Sequence, residues 1–275
     1  MKMTPNFELT PLTYTVMKFP SGELQIKLNS IYDPEQPKFP KILTIMGSIT
    51  SSDNLIELLQ LVEALNYYGI RSIQLILPYC AYSRQDRRCN DGESFSLKTF
   101  TNLINSCNFQ RVVTYDNHSE VATALLNNCY NIPVSALIEN LLPYNFLISP
   151  DAGANKKVFD CSKQFKIPML RADKQRDTVT GNILETIIYA TKEQLDNATV
   201  LIIDDICANG RTFLELAKAI KTISPSCIID LYVTHGFFSA GLDELSKYID
   251  KFYATDSVCT LIDNRLTILK QLRTS

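Results

Sequence analysis

The chain has 275 residues, of which 45% are hydrophobic, and its formal net charge is −2. A chain of this size forms one large or two modest globular domains and buries a core without disulfide bonds. The near-neutral charge and the lack of a long basic run argue against non-specific binding to nucleic acid. No stretch of sequence approaches the roughly eighteen apolar residues of a membrane-spanning helix, so no membrane contact is predicted.

The eight cysteines are scattered along the chain, and no two of them are separated by the two residues typical of a zinc motif. We expect reduced thiols that lie mostly in the core, as in proteins of a reducing compartment. The N-terminus shows no basic segment followed by an apolar run, which argues against a signal peptide. These features predict a cytoplasmic protein.

Short apolar runs rich in Ile, Val and Leu recur along the chain, with helical patterns between them. The predicted strands cover residues 42–46, 72–77, 111–115, 145–148, 169–171, 200–203, 228–233 and 251–254. Between them, apolar residues are spaced three or four apart, as in Leu55, Leu58, Leu59, Val62 and Leu65, which predicts amphipathic helices. This alternation predicts βαβ units and a largely parallel sheet.

Polar or small residues follow nearly every predicted strand. Asp116 follows the third strand, Ser149 and Asp151 follow the fourth, and Asp204 and Asp205 follow the sixth. In open parallel sheets, ligands bind beyond the carboxyl ends of the strands. The pattern therefore predicts an α/β enzyme or ligand-binding protein, although it does not name a reaction.

A domain break is predicted near residues 141–145, between two halves that both alternate strand and helix. We expect an N-terminal domain of residues 1–141, which can also include residues 260–275, and a C-terminal domain of residues 142–259. The preferred architecture is two similar α/β domains that face each other.

Residues 200–212 combine a buried strand that ends in Asp204 and Asp205, a short loop that contains Gly210, and a helix that Thr212 opens. Backbone N–H groups at the N-terminus of a helix form a natural anion site. The two acids are suited to ribose hydroxyls or to a magnesium ion. The same residues are equally compatible with a plain strand end and a helix cap.

A strand exit and a basic, aromatic loop are predicted at residues 78–88, Pro-Tyr-Cys-Ala-Tyr-Ser-Arg-Gln-Asp-Arg-Arg. The guanidinium group of Arg84 can pair with two phosphate oxygens. Gln85 and Asp86 can form hydrogen bonds with a base or a sugar. A solvated charged loop would have a similar composition.

Residues 78–88 strongly resemble the Pro-Tyr-x-x-Tyr-x-Arg-Gln-Asp-Arg signature of ribose-phosphate pyrophosphokinases, which phosphoribosyltransferases do not carry. The resemblance continues in order through most of the chain, at residues 19–23, 53–59, 114–118, 149–153, 173–176 and 234–239. Residues 200–212 resemble the phosphoribosyl pyrophosphate loop that both families share.

The sequence departs from the family patterns at a few positions. Ser21 stands at a position where an acid or Asn is common, and Asn117 replaces an apolar residue. In the loop after Asp205, Ala208 replaces an acid, Asn209 replaces Thr, and Arg211 replaces a small residue. In addition, only residues 1–18 precede residues 19–23, which resemble the family's Phe-x-x-Gly-Glu segment. Family members usually have a further strand and helix before that segment.

The resemblance implies two phosphoribosyltransferase-like (Rossmann-like) α/β domains with mainly parallel sheets. It implies a ribose-phosphate diphosphokinase, which transfers the pyrophosphoryl group of Mg-ATP to the 1-hydroxyl of ribose 5-phosphate and gives phosphoribosyl pyrophosphate and AMP. Mg²⁺ is the implied cofactor. An ATP site shared between subunits implies a homo-oligomer, either a dimer or larger.

The resemblance also implies roles for individual residues. Lys174 and Arg176 would be catalytic and would stabilise charge on the transferring phosphates from a mobile loop. The implied ATP-binding residues are Phe19, Ser21, Glu23, Arg84, Gln85 and Asp86. The implied ribose 5-phosphate-binding residues are Asp204, Asp205, Asn209, Gly210, Arg211 and Thr212. His118 and Asp151 would help to hold magnesium, whereas His235 is expected to have a structural or loop-positioning role.

Two other functions remain open at this point. A non-catalytic regulatory or associated protein of the same fold is motivated by Ala208 and Asn209, although the retained catalytic and metal-binding residues argue against it. A phosphoribosyltransferase would explain the loop after Asp204, but not residues 84–86 or the number of domains.

Overall fold

A computed structural model describes residues 1–29, 42–176 and 183–270 of the chain, and the side chains of residues 1–29, 42–173 and 186–270. Contacts along the backbone divide the chain into two compact units, Met1–Ile132 and Pro133–Ser275. Among the helices of the described ranges, none is long and apolar enough to cross a membrane.

The described part of the first unit contains eight strands and three helices. The strands are β1 (Lys2–Met3), β2 (Glu8–Thr10), β3 (Thr13–Lys18), β4 (Leu24–Asn29), β5 (Leu43–Met46), β6 (Ile73–Ile76), β7 (Arg111–Tyr115) and β8 (Cys129–Ile132). The helices are α1 (Ser52–Tyr67), α2 (Ser96–Ser106) and α3 (Glu120–Leu125).

Two sheets form the described part of the first unit. One has the strand order β2-β5-β6-β7-β8, in which β5 to β8 run parallel and β2 pairs antiparallel with β5. The other is the antiparallel sheet β1-β3-β4. The three strands predicted in this half are confirmed as β5, β6 and β7, and their parallel pairing is confirmed as well.

A buried acid ties the N-terminal strands to helix α1. The Oε1 atom of Glu57, a residue that is 3% exposed, accepts hydrogen bonds from the Asn6 backbone N–H and the Tyr14 hydroxyl, each at 2.7 Å. The Tyr14 hydroxyl in turn accepts from the backbone N–H of Phe7 at 3.0 Å. Because Tyr14 and Glu57 are buried, the network holds β3 against the helix.

The described part of the second unit contains seven strands and four helices. The strands are β9 (Phe146–Ser149), β10 (Met169–Arg176), β11 (Ile183–Ile188), β12 (Thr199–Cys207), β13 (Ile228–Gly236), β14 (Lys251–Thr255) and β15 (Leu266–Leu269). The helices are α4 (Val134–Ile138), α5 (Asn155–Phe165), α6 (Lys192–Leu195) and α7 (Arg211–Ile223), and two short 3₁₀ helices cover Glu139–Leu141 and Leu245–Lys247.

These seven strands form one sheet of order β11-β10-β9-β12-β13-β14-β15, which is parallel except for the antiparallel pair β10–β11. Alternate residues of β12 enter two separate cores, with Val200 and Ile202 on one face and Leu201 and Ile203 on the other. Both faces of the central strands are therefore buried, as expected for a parallel sheet. The five strands predicted in this half are confirmed.

The boundary between the units differs from the predicted one. Residues 133–141 belong to the second unit because helix α4 packs against α5 and β13 of that unit. Residues 260–270 also belong there, since β15 pairs with β14. The sequence showed the loop before β9 but not the short helix that precedes it.

Three strands, β10, β12 and β13, run at least three residues past their predicted ends. Strand β12 continues through Asp204 and Asp205 to Cys207, because Asp204 pairs with Val233 and Ile206 pairs with His235 of β13. Strand β10 continues to Arg176 through its antiparallel pairing with β11. The predicted acidic strand end therefore lies inside the sheet ladder rather than after it.

A second buried acid lies in β13. Asp230 is 2% exposed, and its Oδ2 atom accepts a hydrogen bond from the Tyr144 hydroxyl at 2.8 Å. Its Oδ1 atom has no hydrogen-bond partner within the part of the chain that the structure describes. Burial raises the pKa of Asp230 above its usual range, and the hydrogen bond from Tyr144 opposes that rise.

We expect Tyr144→Phe to lower the free energy of unfolding by about 1–3 kcal/mol near pH 8, since the buried carboxylate would lose its donor. A carboxyl group whose pKa is higher in the folded protein than in the unfolded protein stabilises the folded state at pH values below the unfolded pKa. That stabilisation is lost as the pH rises through the folded pKa. The loss caused by the variant should therefore shrink as pH falls toward about 4. Urea unfolding at several pH values measures this trend.

The matched control is Tyr248→Phe, which keeps the ring that lies beside Lys218 and should change the free energy of unfolding little. If Tyr144→Phe cost the same at every pH, the hydroxyl would act through packing alone, and the assigned role of Asp230 would be wrong.

Candidate active site

The basic loop, residues 78–88, begins directly beyond β6. Its root is fixed because the Tyr115 backbone N–H donates to the Pro78 carbonyl oxygen at 3.1 Å. Cys80 and Ser83 are buried, whereas Arg84 and Gln85 are exposed. The loop thus has a buried first part, its root, and an exposed charged part, its tip, that contains Arg84 and Gln85.

A local turn gives the tip its shape. Tyr82 adopts a left-handed backbone conformation with φ +61°, and its carbonyl oxygen accepts from the Gln85 N–H at 2.8 Å. The Tyr82 ring lies against Phe100 of α2, with ring centroids 5.6 Å apart. Asp86 is half-buried beside the exposed Arg84 and Gln85, so the three predicted ATP-binding residues of this loop lie together in one turn region.

Residues 88–93 form a second turn next to the basic loop. The Glu93 carboxylate accepts hydrogen bonds from the backbone N–H groups of Cys89 and Asn90 and from the Asn90 side chain. These donors, the Asn90 side chain first, lower the pKa of Glu93. The turn keeps Arg87 and Arg88 exposed, so the positive charge of this region faces solvent.

His118 lies beyond the carboxyl end of β7, the strand that neighbours β6. Asp116 turns the chain with φ +41°, Asn117 is buried, and His118 is exposed. Because β6 and β7 run parallel, His118 and the basic loop leave the same edge of the sheet. The structure therefore places His118 and residues 84–86 at the same edge of this sheet.

The other predicted ATP-binding residues occupy the turn that joins β3 and β4. The Phe19 N–H donates to the Glu23 carbonyl oxygen at 2.8 Å, and the Ser21 hydroxyl donates to the Glu23 carboxylate at 2.7 Å. Gly22 has φ +95°, a conformation that glycine adopts without strain. Phe19 is 41% exposed, so the turn presents an aromatic ring and an acid to solvent.

In the second unit, three acids share a small region. The Asp205 backbone N–H donates to Asp204 Oδ1 at 2.9 Å, and the Nζ atom of Lys157 lies 3.7 Å from Asp205 Oδ2. Burial, then the neighbouring Asp205, and then Asp151 raise the pKa of Asp204 well above its usual range. This crowding of like charges favours a cation or hydroxyl donors as ligands.

Asp151 also shapes the turn before α5. Its Oδ1 atom accepts from the backbone N–H groups of Gly153 and Ala154, at 3.0 and 3.2 Å. The Ser149 hydroxyl donates to the Asp151 carbonyl oxygen at 2.9 Å. These bonds fix the direction of the carboxylate relative to the end of β9.

Residues 208–212, called the sugar loop because the sequence predicts that they bind the sugar phosphate, comprise the connection 208–210 between β12 and α7 and the first two residues of α7. Gly210 precedes the helix with φ +82°, and a Cβ atom added there would lie 2.8 Å from the Leu245 Cδ1 atom. The Asn209 side chain accepts from the Arg211 N–H at 3.3 Å. Helix α7 begins at Arg211 rather than at the predicted Thr212, and Gly210 caps it without a side-chain hydrogen bond.

The histidine in β13 has a structural location. His235 is 2% exposed, and its Nδ1 atom lies 2.8 Å from the Ser257 hydroxyl oxygen. That location agrees with the structural role expected for it.

The predicted catalytic residues lie on the β10–β11 hairpin. Lys174 pairs with Thr186 in the backbone ladder, and Arg176 pairs with Ile183. Their side chains lie outside the described residues. His118 belongs to the first unit and Asp151 to the second.

Sequence reasoning missed Lys157 and the polar contacts of Asn117. Lys157 follows the Ser149-Pro-Asp-Ala-Gly motif by one turn of α5, and no spacing rule distinguishes it from Lys156 beside it. Asn117 was noted as a departure from the family pattern, and the structure shows that Thr114 and Thr123 accept from its side chain.

The carboxylates of this region fit a magnesium ion that is also bound by phosphate oxygens of a substrate. Among the described residues, no three or more His, Cys, Asp or Glu side chains are grouped as a metal site. Magnesium is commonly held by one or two carboxylates together with phosphate oxygens of the substrate. The carboxylates of Asp151, Asp204 and Asp205 are hard oxygen donors that suit that mode.

Comparison with known proteins gives two family matches. Residues 2–107 match the N-terminal domain of ribose phosphate pyrophosphokinase, and residues 146–261 match a phosphoribosyl transferase domain.

Relatives in other organisms are similar over most of their length. A ribose-phosphate pyrophosphokinase of Thermosipho africanus is 29% identical over 258 residues, which are 88% of this chain and 77% of the relative. One from Saccharolobus solfataricus is 29% identical over 207 residues, covering 73% of this chain and 68% of the relative.

Among solved structures, phosphoribosylpyrophosphate synthetase from Mycobacterium smegmatis has a TM-score of 0.80 at 17% identity, and the match covers 94% of this chain and 86% of the other. The predicted α/β fold is thereby confirmed. The two family models and the relatives together establish that the chain belongs to the ribose-phosphate pyrophosphokinase family.

Proposed function

We propose that this protein is a ribose-phosphate diphosphokinase that uses ATP and ribose 5-phosphate and forms phosphoribosyl pyrophosphate and AMP. The observation that carries the proposal is the basic loop, whose exposed Arg84 and Gln85 stand on a buried root. A phosphoribosyltransferase has no need of such a loop, because it consumes the sugar pyrophosphate instead of building it from ATP. The names of the relatives support the same reaction.

Ribose 5-phosphate would bind in the second unit. Asp204 and Asp205 would accept hydrogen bonds from ribose hydroxyls, which relieves the crowding of their negative charges. The 5-phosphate would lie at the N-terminus of α7, where backbone N–H groups and the helix dipole favour an anion. Asn209, Arg211 and Thr212 belong to the sugar loop and would surround the 5-phosphate.

ATP would bind in the first unit. Arg84 would pair with phosphate oxygens, and Gln85 and Asp86 would form hydrogen bonds with the base or the ribose. The turn of Phe19, Ser21 and Glu23 would reach ATP bound to a neighbouring subunit, with the exposed Phe19 ring against the base. This division of the site predicts a homo-oligomer of at least two subunits.

In the reaction, the 1-hydroxyl oxygen of the sugar bonds to the β-phosphorus of ATP. The bond from that phosphorus to the bridging oxygen on the α-phosphate breaks, AMP leaves with the electron pair, and the hydroxyl proton is released. Lys174 and Arg176 would stabilise the charge that builds up on the phosphates. His118 and Asp151 would hold Mg²⁺, which when bound neutralises phosphate charge.

The location of the reaction is proposed to be the cytoplasm. All eight cysteines are free thiols, and most of them are buried or partly buried. Such thiols persist in a reducing compartment.

Gly210→Ala tests the sugar loop. We expect the apparent KM for ribose 5-phosphate to rise about tenfold, because a side chain in the left-handed region is strained by roughly 1–2 kcal/mol and would press on Leu245. The matched control is Gly241→Ala, at φ +70° with open space around the added carbon. That control carries the same backbone strain without touching the loop, so its KM should stay unchanged. Equal KM values for the two variants would contradict the role of Gly210.

The product identifies the reaction. The ³¹P NMR spectrum of a mixture of protein, Mg-ATP and ribose 5-phosphate should gain the two resonances of a pyrophosphate on carbon 1 of the sugar, together with AMP. A spectrum that instead gained ADP and a singly phosphorylated carbon 1 would show ordinary kinase chemistry and contradict the proposal.

A further inference from the structure

The segment that carries His118 leaves β7 through a strained turn. Asp116 is buried and has φ +41°, a conformation that non-glycine residues keep only where their surroundings enforce it. The next residue, Asn117, is 4% exposed, and the one after it, His118, is exposed. The turn therefore places the Asn117 side chain inside the protein and the His118 side chain at its surface.

Asn117 connects three elements through its buried side chain and its backbone N–H. Its Nδ2 atom donates to Thr114 Oγ1 of β7 at 2.9 Å and to Thr123 Oγ1 of α3 at 3.0 Å. Its backbone N–H donates to Asn131 Oδ1 of β8 at 3.0 Å. Beside it, the Asp116 N–H donates to the Ile132 carbonyl oxygen at 2.8 Å. The strand exit is thus held from β7, from β8 and from α3 at once.

The arrangement around Asn117 serves the position of the His118 segment more than the stability of the fold. The Oδ1 atom of Asn117 is buried without a hydrogen-bond partner among the described residues, and an unsatisfied buried oxygen destabilises a fold. An apolar side chain at this position would avoid that cost. It would also lose both hydrogen bonds from Nδ2, and the one to Thr123 is the bond that joins the His118 segment to α3.

We propose that Asn117 is a positioning residue that holds His118 in place, acting through its hydrogen bond to Thr123. The proposal rests on the proposed function, because that function gives His118 its role in holding Mg²⁺. Thr123 has no part in the proposed catalytic or binding machinery, and its one described side-chain contact of this kind is with Asn117. Changes at Thr123 therefore test the connection without touching the site.

The test compares Thr123→Val, which keeps the shape and removes the hydroxyl, with Thr123→Ser, which keeps the hydroxyl. Hydrogen exchange of the full-length protein, read by mass spectrometry on peptides that contain residues 116–118, should be about tenfold faster in Thr123→Val, since one hydrogen bond is lost. AMP formation should show a kcat lowered by about tenfold, with the KM for ribose 5-phosphate changed by less than about twofold. Thr123→Ser should match the unmodified protein in both measurements.

Asn117→Leu provides the second arm. It should reproduce the faster exchange, and adding Thr123→Val to it should give no further increase, because both changes remove the same bond. The proposal is overturned if Thr123→Val and Thr123→Ser exchange alike, or if exchange rises equally in peptides across the whole chain. If the unmodified protein forms no AMP, the proposed function fails, and the exchange of residues 116–118 alone decides whether Asn117 holds the segment.

Discussion

Replacing Lys174 and Arg176 together by alanine should lower the rate of AMP formation by about 10³-fold or more, while ribose 5-phosphate still binds. Positive side chains that meet the transferring phosphates act mainly in the transition state, so their loss lowers kcat and not ground-state binding. Both residues lie on the β10–β11 hairpin, where the strand extends beyond its pairing with β9. Single-turnover rates and calorimetric titration with ribose 5-phosphate measure the two quantities separately.

The control for this pair is a variant that removes two other lysines of the same unit, Lys163→Ala and Lys192→Ala, both of which are exposed on helices. It changes the net charge by the same amount and should keep its turnover within about twofold, as expected for surface substitutions. A Lys174 and Arg176 variant with near-normal turnover would remove these residues from the catalytic machinery.

The second large effect is expected at the acids of β12. The double variant Asp204→Asn and Asp205→Asn should weaken the apparent affinity for ribose 5-phosphate by about 100-fold, because hydrogen bonds to charged groups contribute roughly 1.5–3 kcal/mol each. The fold should not suffer, since neutral amides relieve the crowding that raises the pKa of Asp204. ATP binding, assigned to the first unit, should change little.

Calorimetric titration with ribose 5-phosphate and, separately, with Mg-ATP measures these affinities. Asp160→Asn, an exposed acid on α5 of the same unit, is the matched control and should bind both ligands normally. If the double variant bound ribose 5-phosphate as tightly as the control does, the sugar would have to bind elsewhere in the protein.

The central strands were predictable because burial on both faces produces continuous apolar runs, such as the one that forms β12. The strands that sequence analysis missed are short, paired at an edge or partly polar. Strand β8 includes the exposed Tyr130, and among the described strands it has a partner on one side only, so its sequence need not be apolar. The hairpin β3–β4 alternates apolar and polar residues clearly, but it belongs to a separate antiparallel sheet, which an alternation of strands and helices does not reveal.

The candidate site divides in a similar way. The acids of β12 and the residues of the basic loop lie in contiguous motifs, which a linear pattern reveals. Lys157 comes close to Asp205 only because α5 packs on the sheet that carries Asp205, and Thr123 reaches Asn117 because α3 follows the strand exit and packs against β8. Contacts of this kind depend on the fold, and no spacing in the sequence encodes them.

The most direct test of the account is AMP release from Mg-ATP by the purified full-length protein, with and without ribose 5-phosphate. The account predicts AMP formation that depends on the sugar phosphate, with no matching ADP. Folded protein that binds ATP and ribose 5-phosphate but releases no AMP would contradict the account and indicate a binding protein built on the fold of an enzyme.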